Sequence, residues 1–183
     1  MTPIRACLAI FAALGLLLPG SGHADEVDMK IVRALAKKPV TEIFEGSPVK
    51  PVTDATYPAI MRNRGRPVVV MFYAETGPSS RNLATMVRFI AVKYAKAIDF
   101  YAYRASAGKS VPKPELKRLG KAYSVDQVPG TLYYDNDDDR SRLELEAEDY
   151  VVPSVKQYRT PGMFTWRTYY RALQEQIEKT ILD

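Results

Sequence analysis

The feature that most constrains this chain is Val68-Val69-Val70-Met71-Phe72-Tyr73, a continuous apolar, largely β-branched run entered through Arg66-Pro67. A strand with one wet face alternates apolar and polar residues, whereas an unbroken apolar run of this length fits a strand covered on both faces of a sheet. The run therefore predicts a central strand. After Thr76-Gly77-Pro78-Ser79-Ser80, apolar residues recur at Leu83, Met86, Val87, Ile90 and Tyr94, the three-and-four spacing of a helix of four to five turns. Ile98 to Arg104 is strand-like again. Strand, helix and strand in about 37 residues is the length of one parallel crossover unit.

Around this unit the pattern is α/β. Val27, Ile31, Ala34 and Leu35 predict an amphipathic helix over Glu26 to Lys37, stopped by Lys38-Pro39. Gly46, Pro48 and Pro51 make Val40 to Thr56 an irregular connection, with a short strand expected near Glu42 to Phe44. A helix is predicted over Ala55 to Asn63, and another over Pro114 to Tyr123, where Pro114 suits the first turn. Thr131 to Tyr134 and the alternating Leu143-Glu144-Leu145-Glu146-Ala147 read as a hairpin around the acidic turn Asp135 to Asp139. Glu148 to Gly162 has no clear period and reads as a loop, and Phe164 to Leu182 as a closing helix.

Helix, strand, helix, strand, helix, hairpin, helix is the element order of the thioredoxin fold, and three local strings resemble that family. Arg66 to Glu75 is similar to its central strand and the residues leading to its active site. Thr76-Gly77-Pro78-Ser79 stands where thioredoxins carry Cys-Gly-Pro-Cys, without the tryptophan usual before it. Lys121-Ala122-Tyr123-Ser124-Val125-Asp126-Gln127-Val128-Pro129 resembles the segment that ends in the family's cis-proline. The resemblance covers about Ala55 to Ala147 and implies a three-layer fold: a central mixed sheet of four to five strands flanked by helices, with an added N-terminal helix and an insertion before the last helix.

The departures remove chemistry. Thiol exchange needs a thiolate, and neither Thr76 nor Ser79 supplies one. The buried acid of the family's central strand aligns with Met71, and Gly130 follows Pro129 where threonine is usual. What the resemblance leaves is a groove for an extended peptide, lined by Thr76, Gly77, Pro78, Ser79, Ser80, Arg81, Val128 and Pro129; the plainer reading has Ser79 or Ser80 capping a helix and Pro129 making a turn.

Arg5 followed by the apolar run Ala6 to Leu18, the break at Pro19-Gly20 and the small residues of Gly22-His23-Ala24 read as an export signal over residues 1–24, with Asp25 as the mature start. The run is shorter than the roughly 20 residues needed to span a bilayer. Processing would remove both the single cysteine, Cys7, and the single histidine, His23. The remaining chain divides into residues 25–54, an N-terminal helix and connection, and residues 55–183, a thioredoxin-like domain whose core must hold without a disulfide. An exported, periplasmic or secreted location follows.

The formal net charge of +5 is mild and its bases are interleaved with apolar residues, so no nucleic-acid stripe is visible. Without histidine, a Ser-His-Asp arrangement and the common zinc sites are excluded from the processed chain. Asp135, Asp137 and Asp139, with Glu146 at the twelfth position, resemble a calcium loop, but the sixth position needs glycine and is Arg140. Gly108-Lys109-Ser110 ends like a phosphate loop without its first glycine. Trp166, Arg167, Tyr170 and Arg171 have an interface-like composition. These readings converge on a non-catalytic, cofactor-free protein that binds a protein or extended peptide as an accessory, assembly or chaperone-like subunit. Two alternatives stand beside it: a cation- or lysine-dependent enzyme using the same groove, through Asp137 or Lys109, and a structural subunit of an envelope complex.

Overall fold

The structure is a computed structural model, and it describes residues 27–62, 65–134, 140–142 and 166–181. The elements in chain order are α1 (Met29–Leu35), α2 (Val40–Phe44), β1 (Lys50–Val52), α3 (Tyr57–Arg62), β2 (Val68–Ala74), α4 (Pro78–Tyr94), β3 (Asp99–Ser106), α5 (Lys113–Tyr123), β4 (Gly130–Tyr134), β5 (Arg140–Arg142) and α6 (Trp166–Ile181).

Every residue of β2 is buried, which is why its sequence needs no alternation. β2 pairs in parallel with β3 and antiparallel with β4, and the sheet order is β1-β3-β2-β4-β5. Its period of two divides the core. Val69, Met71 and Tyr73 face one layer with α1, α2, α4 and α6, while Val68, Val70 and Phe72 face the other with α3 and α5. The β2–α4–β3 crossover joins two parallel neighbours, and β4 returns antiparallel after the Val128-Pro129 peptide, which is cis. This strand order, with helices on both faces, is that of the thioredoxin fold.

One expectation is overturned. Residues 40–44 form a helix, not a strand, and the first strand lies later, at Lys50–Val52, paired with β3. The β-branched Val40, Thr41 and Ile43 suggested extension, but the backbone is held by a residue remote in sequence. Glu75 accepts at its carbonyl from Val40 N (3.0 Å) and at its carboxylate from Thr41 N (2.9 Å) and Thr41 Oγ1 (2.7 Å). The hairpin forms with β5 at Arg140–Arg142; Leu143 to Ala147, the Glu148 to Gly162 loop and the acidic turn lie outside the described residues.

Candidate binding cleft

Two loops at the ends of the parallel strands are zipped together. Glu75 N donates to Ser106 O (2.8 Å) and Thr76 N to Gly108 O (3.1 Å), so the segment after β3 follows the segment after β2. At Gly77 the two backbones approach so closely that a Cβ would lie 2.7 Å from Lys109 O. Glycine is required there by contact with backbone. α4 then starts with Pro78 in its first turn, where no amide is needed. Ser80 is buried, and its Oγ accepts from Ala74 N (3.0 Å), tying the helix start to the end of β2.

These contacts leave an open cleft of about 200 Å³. Gly77, Pro78, Ser79 and Ser80 form one wall and Val128 and Pro129 a second. Lys109, Ser110 and Val111 form a third, with Leu116 of α5 behind them. Six of the eight residues expected to line a groove thus meet, from two chain segments, with Val128 and Pro129 lining the same cleft as Gly77 to Ser80. Lys109 carries the only charge among the lining residues.

Thr76 and Arg81 do not line it. Thr76 is engaged through its amide with Gly108. Arg81, four residues into α4, turns toward the connection after α1, where Nη1 donates to Lys37 O (3.2 Å). Lys109, Ser110, Val111 and Leu116 were not anticipated as a wall. The one available sequence signal, the Gly108-Lys109-Ser110 string, pointed to a phosphate loop instead.

Trp166 belongs to the core rather than to a partner surface. It is buried, its Nε1 donates to Thr85 Oγ1 (2.9 Å), and its ring meets Phe89 edge-on and stacks on Tyr170 (5.0 Å between centroids). Tyr170 is half-buried in the same contact and Arg171 is exposed; the Arg167 side chain and Asp135, Asp137 and Asp139 lie outside what is described. Among the described residues no His, Cys, Asp or Glu group is arranged to hold a metal ion.

Two polar clusters flank the cleft-bearing layer. Beside the Thr76 loop, Glu75 is buried with Arg104 Nη1 at 3.8 Å from Oε2, too far for a hydrogen bond, and Oε2 has no hydrogen-bond partner. Burial first, and the Glu75 charge second, push the Tyr73 hydroxyl up to about 12. On the opposite face Asp54, in the loop before α3, accepts at Oδ1 from Tyr123 Oη, from Tyr103 Oη (2.8 Å) and from Arg118 Nη1 (3.2 Å). Arg118 also donates to Tyr103 Oη (2.7 Å) and pairs with both Glu115 oxygens at 2.6 and 2.8 Å. Burial raises the Asp54 carboxyl, but the two hydroxyls and the guanidinium outweigh it and hold the group below its ordinary 3.8.

Compared with protein-family models and with curated proteins, the chain gives no match. Solved structures similar to it include the J-Trx1 fragment of ERdj5, with a TM-score of 0.49 and 12% identity, covering 77% of this chain and 56% of that one. ERdj5 in its crystal form II gives a TM-score of 0.41 and 15% identity, covering 75% of this chain and 16% of that one. The chain therefore spans little more than half of the first and a small part of the second. The fold assignment rests on the strand order and register described above.

Proposed function

We propose that this chain is an exported, non-catalytic thioredoxin-like protein that holds a protein segment or extended peptide in the cleft between α4, the Lys109 loop and Pro129. The observation that carries the reading is the composition of the cleft: it is formed, its walls are apolar with hydroxyls and one lysine, and it contains no thiol. The chain has one cysteine, Cys7, so no internal disulfide can cycle. Apolar walls with a few convergent polar groups suit recognition. Ser79 Oγ, with a hydroxyl proton far less acidic than a thiol, serves as a hydrogen-bond partner rather than a nucleophile.

A peptide array followed by titration of the best binders tests this. Binding should fall at least about tenfold, about 1.4 kcal/mol, in Ser79→Trp, which fills the cleft, with the circular-dichroism melt unchanged. Turnover of a disulfide substrate by the purified protein would overturn the reading. Lys109 on the wall favours one second reading, lysine-dependent catalysis; there Lys109→Ala would abolish a turnover found in a metabolite screen, whereas in the binding reading it only weakens a complex.

A further inference from the structure

The exposed side of α1 is a basic face with an apolar side chain at its border. Between residues 28 and 38 the chain carries four bases, Lys30, Arg33, Lys37 and Lys38, against one acid, Asp28. Val32 is buried against the core. At 100° per residue Arg33, Lys30, Ala34 and Ile31 fan across the opposite side, and Lys37 follows in the turn after the helix. All five are exposed, Ile31 by 51%, one of two large hydrophobics so exposed among the described residues. Asp28 is spent on the helix, capping Lys30 N at 2.7 Å. None of the four basic side chains has an ion-pair partner among the described residues. Arg81 adds a fifth cation at the end of the helix through its bond to Lys37 O. Glu42 and Glu45 are exposed on and after α2, and two further acids, Asp25 and Glu26, precede Asp28 in the sequence and lie outside the described residues.

We infer that this face is a docking surface for an anionic lipid bilayer. The charge is complementary to acidic headgroups, and several bases on one surface act together at the distance of a Debye length. A soluble polyanion would use the cations but gain nothing from Ile31, whereas a bilayer takes an apolar side chain below its headgroups while the lysines and arginines stay in the headgroup layer. Ile31 at the border of the cations is what selects the bilayer. None of the cleft-lining residues belongs to α1.

Flotation with phosphatidylcholine vesicles, with and without phosphatidylglycerol, tests this on the intact chain. The same chain is used throughout, so the binding to neutral vesicles measures whatever other segments contribute, and the quantity of interest is the excess on anionic vesicles. That excess should be present at low salt and vanish in high salt. It should fall by about a hundredfold in the triple variant Lys30→Glu, Arg33→Glu, Lys37→Glu, and severalfold in Ile31→Ser with its salt dependence unchanged. All four side chains are exposed, and unchanged circular dichroism will confirm folding; peptide binding in the cleft should survive. No excess on anionic vesicles, or an excess that the triple variant retains, overturns the inference. So does an excess indifferent to Ile31→Ser and fully competed by dextran sulfate, which would mark a polyanion site.

Discussion

Gly77 is the residue on which the cleft depends most directly. The atom that a Cβ would meet is a backbone carbonyl, which cannot rotate aside as a side chain could, and the segment bearing it is already bonded to Glu75 and Thr76. Gly77→Ala should therefore cost about 1–3 kcal/mol in urea unfolding and weaken any cleft ligand at the same time, because relief of the clash moves Lys109. At this scale the sequence was uneven as a guide. Ser79 and Pro129 were legible because the family resemblance places them on opposite walls. Arg81 was misplaced because neighbours in sequence on a helix leave in different directions: 100° separates it from Ser80, enough to turn it from the cleft to the end of α1. The Lys109 wall was not legible because its position is set by backbone hydrogen bonds between loops more than 30 residues apart.

Among the elements, α2 and α6 show how remote contacts decide local structure. α4 could be read from its periodicity, β2 from its unbroken apolar run, and α5 from Pro114 at its first turn, since each carries a local signal of its own. α2 is five residues long and cannot, because a helix so short is stabilised by what it docks against rather than by propensity. Its anchor is the Glu75 carboxylate, and Arg88 Nη1 supports its far end by donating to Ile43 O and Glu45 O. α6 is the helix its sequence predicts, but Trp166, one of the four residues whose composition suggests a partner surface, is buried in the core. The difference lies in Thr85, a buried hydroxyl on α4 that gives the Trp166 indole N–H a partner. Trp166→Ala should cost about 3–5 kcal/mol, and Thr85→Val, which leaves that N–H unsatisfied, about 1–3 kcal/mol. Trp166 is the single tryptophan, so its emission reports α6 undocking directly. A red shift in Thr85→Val before the global melt would show that α6 releases first.

On the scale of the whole molecule, the Asp54 cluster joins the β1–α3 loop to β3 and α5 across the face that α3 and α5 cover. No local pattern foretold it, since its members lie 49 to 69 residues from Asp54. Its effect on stability has a definite sign. The folded carboxyl titrates below 3.8, and Glu115, lowered chiefly by its bonds to Arg118, below 4.5. Their contribution is complete above those values and is lost as the pH falls through the folded ones. Wild type should therefore lose more stability than Asp54→Asn between about pH 5 and about pH 2, as read by urea midpoints along that range. The partly exposed setting of Arg118 and Asp54 keeps the difference small.

The cleft walls come from residues 77–80, 109–111, 116 and 128–129, none of which can meet until β2, β3 and β4 are in register. An occupant consequently has no counterpart site on the unfolded chain. Occupancy and folding are then a single linked equilibrium: a ligand at a hundred times its dissociation constant adds about 2.7 kcal/mol to the apparent stability. The melting temperature of this protein thereby becomes a reporter of its ligand, sensitive to binding alone and indifferent to whether any reaction follows.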